Sequence, residues 1–155
     1  MVNNKDIVKI TDFTLLNDSV SESDLYSFFD KYINFPVEPA SFCVFPQDLY
    51  TIYRKYSKEL EDKNPCVVIN FPYANQRFSK IEEQIIKAGN FSAEVDLVFP
   101  SKVLLEEKNQ EKVKELLNFY KKCIIENELT TVKIILETSM YEDEFKLIEA
   151  YNLAY

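Results

Sequence analysis

The sequence predicts an α/β chain of about five βα units on a parallel sheet, within a single domain spanning residues 1–155. Three observations predict it. Five short, nearly continuous apolar runs alternate with longer stretches of helical periodicity. The runs lie a few tens of residues apart, the spacing that strand–helix–strand crossovers need. They also lack the in–out alternation of a half-exposed antiparallel strand, so they suit strands covered on both faces.

In chain order the strand candidates are VKITDFTLL (8–16), SFCVF (41–45), CVVINF (66–71), EVDLVF (94–99) and TVKIILE (131–137). The first helix follows an S-x-x-D capping signal at Ser21 and Asp24 and carries Leu25, Phe28, Phe29 and Tyr32 at helical spacing. Leu49, Ile52, Tyr53, Tyr56 and Leu60 form a second stripe, and Phe78, Ile81, Ile85 and Ala88 a third, with Gly89 as its stop. Val113, Leu116, Leu117, Tyr120 and Ile124 form a fourth; a fifth begins near Glu142, with Phe145, Ile148 and Tyr151 on one face. Periodicity alone leaves two architectures open: a doubly wound open sheet, or a portion of a (βα)8 barrel.

Composition narrows the chemistry. The formal net charge of -8 argues against a general nucleic-acid surface, which needs clustered Lys and Arg, but leaves room for a small phosphorylated ligand. The chain has no histidine, so Ser-His and Cys-His catalysis are excluded and the commonest metal ligand is missing. Cys43, Cys66 and Cys123 show no zinc-type spacing, and no metal is expected. One glycine stands where average usage gives roughly ten, so no Gly-rich phosphate loop can be built. No apolar run approaches the length of a membrane span and the first residues lack the blocks of a signal peptide, so a cytoplasmic protein with no membrane partner is expected.

Charge inside buried strands needs a reason. Asp12, Asp96 and Lys133 each interrupt an apolar run. Period-two alternation puts Lys133 on the face of Ile135 and Glu137, and Asp96 on that of Val98; if the fourth and fifth strands are neighbours, the two charges meet. They form either a structural ion pair or a proton-transfer pair. Phe45-Pro46, Phe71-Pro72 and Phe99-Pro100 close three strands alike. Singly each proline is punctuation; together they suggest one rim. Cys43 reads as a small buried residue, and the many Tyr and Phe fall on the helical stripes as core.

These segments also resemble a known family. Thr11-Asp12-Phe13-Thr14-Leu15-Leu16-Asn17-Asp18, Ser41-Phe42-Cys43-Val44-Phe45-Pro46, Val68-Ile69-Asn70-Phe71-Pro72-Tyr73-Ala74-Asn75, Glu94-Val95-Asp96-Leu97-Val98-Phe99-Pro100 and Val132-Lys133-Ile134-Ile135-Leu136-Glu137-Thr138 are similar, in order, to the first five strands of bacterial deoxyribose-phosphate aldolases. The resemblance implies part of a TIM-type (βα)8 barrel with no cofactor, cleaving 2-deoxyribose 5-phosphate to glyceraldehyde 3-phosphate and acetaldehyde through a lysine Schiff base. It implies catalytic support from Asp96 and Lys133, and a cavity lined by Asp12, Thr14, Asn17 and Cys43. The family's Schiff-base lysine lies on a sixth strand, in a K-T-S-T-G-like motif that this sequence does not reach. The expectation is therefore a C-terminally truncated, aldolase-like chain that is inactive alone, or a non-catalytic binding or regulatory subunit derived from the barrel. Five strands leave the first and last as open edges, which predicts self-association or a complementary chain.

Overall fold

The computed structural model describes residues 3–91 and 93–155. Its elements run α1 (Asn4–Val8), β1 (Asp12–Thr14), α2 (Glu22–Ile33), β2 (Ser41–Val44), α3 (Pro46–Tyr56), β3 (Pro65–Ile69), α4 (Phe78–Gly89), β4 (Glu94–Val98), α5 (Ser101–Leu105), α6 (Gln110–Glu126), β5 (Val132–Ile135), a 3-10 turn (Thr138–Met140) and α7 (Glu144–Ala154).

Local chemistry explains several boundaries. Ser21 caps α2 by accepting the Asp24 amide at 3.1 Å, which satisfies one of the donors a helix start leaves free. Pro46 opens α3 at a position where a missing N–H costs nothing. Gly89 ends α4. The first strand is shorter than its apolar run: only Asp12–Thr14 pairs, and Val8 ends the short α1 instead.

All five strands are parallel and lie in the order β1-β2-β3-β4-β5. This sequential order settles the architecture. A doubly wound sheet reverses its strand order and carries helices on both faces. Here one face of the sheet, through Phe42, Val44, Val67, Ile69, Val95 and Leu97, packs with the apolar stripes of α2, α3, α4 and α6 in one core. Phe29 stacks edge-on to Phe42 with centroids 5.1 Å apart, and Phe13 lies against Phe28 at the same distance. Ile52, Ile81, Ile85 and Phe29 are fully buried, each worth about 1.5–3 kcal/mol. The fold is an α/β arc of a (βα)8 barrel.

The opposite face carries charge and curves strongly. Flat, β1 and β5 would lie roughly 19 Å apart, at about 4.8 Å per strand interval. Yet Lys133 of β5 reaches Asp12 of β1, with Nζ 2.6 Å from Oδ2. The sheet is therefore rolled, its outer strands converging over a concave face.

α7 departs from the expected packing. Phe145, Ile148 and Tyr151 do share a face, but it points outward, with Phe145 82% exposed. Ala150, Leu153 and Ala154 instead meet the cluster of Phe99, Leu104 and Val113. The small alanine side chain allows close approach there, and nothing in the described chain covers the larger residues.

Candidate functional site

Lys133 is the second residue of β5. Alternation sends Val132 and Ile134 to the helix-covered core and Lys133 to the concave face. The β4–β5 register places it directly beside Asp96. Its ammonium lies 2.6 Å from Asp12 Oδ2 and 3.3 Å from Asp96 Oδ1, and it also pairs with Glu94 Oε1. The Ser41 hydroxyl donates to the other oxygen of Asp12 at 2.7 Å, which fixes that carboxylate. Three carboxylates thus surround one ammonium.

Their surroundings tune the charges differently. Burial pulls the Lys133 pKa down, but the hydrogen bonds to Asp12 and Glu94 outweigh it, and the amine ends well above the ordinary lysine range. It stays protonated at any physiological pH. Asp96 is held above the usual carboxylate range because burial disfavours its charge more than the neighbouring ammonium favours it. Its Oδ1 is buried without a directed hydrogen bond.

The structure brings Asp12, Asp96 and Lys133 together and sets Cys43 beside them. Cys43 is buried and faces Cys66 in the β2–β3 register. The adjacent Cys43 thiol, with burial, pushes the Cys66 thiol far above the ordinary cysteine value. Thr14 and Asn17 are not drawn into the ion cluster. The Thr14 hydroxyl bonds the Asp12 carbonyl at 3.3 Å, while Asn17 accepts the Ser19 amide at 3.0 Å, and both side chains are exposed. Glu137 lies outside β5, exposed and in the left-handed region at φ 54°, so it does not continue the Lys133–Ile135 face.

Glu94, Ser41 and Cys66 were not singled out from the sequence. Glu94 sits two residues before Asp96, so the alternation that aims Asp96 inward also aims Glu94, and that signal was present. Ser41 and Cys66 become visible only once the strand register is known.

At the other end of the strands, the three Phe-Pro pairs do mark one rim: Pro46 starts α3, Pro72 lies in the turn after β3 and Pro100 precedes α5. A buried network stiffens this rim. Asn70, at φ 59°, donates from Nδ2 to the Tyr120 hydroxyl at 2.7 Å and from its amide to Gln84 Oε1 at 3.0 Å; Tyr120 in turn donates to the Val98 carbonyl at 3.0 Å. Nearby, the Tyr141 hydroxyl donates to Ser101 Oγ at 2.9 Å, and Ser101 to the Leu136 carbonyl at 3.1 Å. A cavity of about 760 Å³ opens at the opposite ends of the strands, lined by Leu49, Tyr53, Asn64, Phe91 and Thr131; it touches the ion cluster only through Glu94. The charge cluster, and not this cavity, holds the reactive groups.

Fold and site together define a partial (βα)8 barrel with a charged interior. Comparison with solved structures finds the same fold elsewhere. The tetrameric deoxyribose phosphate aldolase of Aeropyrum pernix superposes with a TM-score of 0.74 at 20% identity, over 97% of this chain and 61% of its own. A protein of Coccidioides immitis assigned as a deoxyribose-phosphate aldolase gives 0.78 at 22% identity, over 99% and 57%. An aldolase named QR15 gives 0.74 at 25% identity, over 96% and 62%. No family model and no curated protein matches the chain. The chain spans about three-fifths of the length of these structures, and what it shares with them is the aldolase barrel fold. Among the described residues no helix is long and apolar enough to cross a membrane.

Proposed function

We propose that this chain provides the proton-handling part of an aldolase site for 2-deoxyribose 5-phosphate or a closely related sugar phosphate. The observation that carries this reading is the Lys133 ammonium, held on the concave face by Asp12, Glu94 and Asp96. In retro-aldol cleavage a hydroxyl proton leaves as the carbon–carbon bond breaks, and the resulting enamine carbon later takes up a proton. A buried carboxylate with a raised pKa, beside a permanently protonated amine, suits both transfers.

Lys133 itself is not the nucleophile in this scheme. It is the one lysine in the described strands, and its carboxylates keep the amine charged. A Schiff base needs a neutral amine. The Schiff-base lysine comes instead from further βα units that complete the barrel, in the same polypeptide or in a second one pairing with the β1 and β5 edges. The same pairing of Lys133 favours a second reading, a binding or regulatory subunit whose ion cluster only braces the fold.

The test is a retro-aldol assay with 2-deoxyribose 5-phosphate, together with borohydride trapping in acetaldehyde and peptide mapping. The chain alone is expected to show no turnover and no adduct at Lys133. With the remaining βα units of a barrel supplied, turnover should appear, and Asp96→Asn should lower it by about 10²–10⁴-fold. A Lys133 adduct, or full restored activity in Asp96→Asn, would sink the proposed roles. Failure of every barrel complement to restore turnover would favour the bracing role.

A further inference from the structure

We propose that Cys43, Cys66 and Asp96 form a binding site for a thiophilic divalent cation of the zinc type. The sequence shows no zinc spacing because the ligands come from three strands, one each from β2, β3 and β4. Pairing of β2 with β3 sets Cys43 directly opposite Cys66, and the β3–β4 register brings Asp96 beside Val68, on the same face. The two sulfurs and an Asp96 carboxylate oxygen all lie within 4.8 Å of one another. Ligands around a tetrahedral zinc, at about 2.3 Å for sulfur and 2.0–2.2 Å for oxygen, fall somewhat closer together than that, so small side-chain rotations close the site.

Two further observations point to a ligand. Asp96 is only 9% exposed, and its buried Oδ1 makes no directed hydrogen bond, facing the Lys133 ammonium at 3.3 Å. The thiols are also walled in by Phe45, Val68, Leu16, Phe71 and Ile135. Such an apolar shell limits water and strengthens coordination. Cys123 shows the contrast, for the carboxylates near it are not buried. Its neighbours within 4.8 Å, Glu82 and Glu126, are exposed helix residues.

Binding deprotonates both thiols, releasing their protons to solvent, and the two thiolates with Asp96 offset the charge of the cation. Cys66 also lies within 4.8 Å of oxygens of Asp12 and Glu94, which are themselves within that distance of each other. The fourth coordination position therefore faces carboxylates now paired with Lys133. Cation binding takes Asp96 from Lys133, so it competes with the ion cluster. The inference shares Asp96 with the proposed aldolase site but does not rest on that reading, since it is tested without any sugar phosphate.

The reduced chain is titrated with Cd²⁺. One equivalent should bind, with an ultraviolet thiolate-to-cadmium charge-transfer band, release of two protons and a raised melting temperature. Cys43→Ala and Cys66→Ala should each abolish the band, while Cys123→Ala keeps it. Asp96→Asn, which retains both thiols, should weaken binding at least about tenfold, since even outer-shell partners of a metal ligand are worth 10–100-fold. It serves as the deciding variant if a cysteine variant fails to fold. Absence of the band in the folded parent chain overturns the proposal, as does a band lost only in Cys123→Ala or undiminished affinity in Asp96→Asn.

Discussion

The two faces of the sheet obey different rules. The helix-covered face is held by apolar contact: Phe29, Phe42, Ile69 and Leu97 are fully buried there and interlock with four helices. The concave face joins a smaller apolar patch around Cys43 and Cys66 to a charge cluster, in which Lys133 draws in carboxylates from β1 and β4. Apolar contact is non-directional and tolerates many neighbours. A charge cluster needs each member in place, because a carboxylate left unpaired in a partly buried site repels its neighbours. The first face makes the fold; the second makes a site, at some cost to stability.

Substitutions on each face should separate these contributions. The largest effect is expected on the apolar face, where Phe29→Ala should destabilise the chain by about 3–5 kcal/mol in denaturant unfolding. A loss below about 1 kcal/mol would mean that the helix layer is loosely packed. Next comes the seam between the helices and the strand ends. Tyr120→Phe removes the acceptor of Asn70 Nδ2 and the donor to Val98 while keeping the ring. The leftover buried amide should cost about 1–3 kcal/mol, and a hydrogen-exchange profile unchanged around Asn70 would contradict it.

On the concave face, Lys133→Ala should cost about 1–2 kcal/mol at neutral pH, less than a fully buried pair because the side chain is 41% exposed. Its pH dependence is the sharper signature. Asp96 titrates above its unfolded value, so its contribution to folding is full below the unfolded carboxylate pKa and is lost as pH rises through the folded one. Without the compensating ammonium that loss deepens. The stability gap between variant and parent should therefore be widest near neutrality and narrow in acid. A gap that does not vary with pH would mean that packing of the lysine stem, and not charge, is what Lys133 supplies. Thr14→Ala, on an exposed side chain bonded only to its own strand, should stay within about 0.5 kcal/mol of the parent.

Much of the helix-covered face was legible in the sequence, because a 3.6-residue stripe and a short β-branched run are local signals. Leu25, Phe28, Phe29 and Tyr32 predicted α2 with its cap, and Gly89 marked the end of α4. The outward turn of Phe145, Ile148 and Tyr151 was not legible, since periodicity defines a face without saying what covers it. The short α1 and α5 carry too few residues for any period to register. On the concave face, the meeting of Asp96 with Lys133 followed from alternation plus one assumption about neighbouring strands. The approach of Asp12 did not: it depends on the curvature of the whole sheet. Choosing the barrel arc over the doubly wound sheet likewise required strand order, which no local pattern contains.

The tie between Lys133 and Asp12 spans 121 residues of chain, while every strand pairing in the sheet joins sequence neighbours. Each βα unit can therefore dock on the one before it, and the chain can assemble as a relay from its first strand onward. The Lys133–Asp12 bond is different, for it has nothing to close until the fifth strand has arrived. It belongs to the end of the folding reaction and acts as a latch on the finished arc. Removing it should leave the folding rate almost unchanged and speed unfolding, which makes this ion pair a determinant of how long the curved face persists once formed.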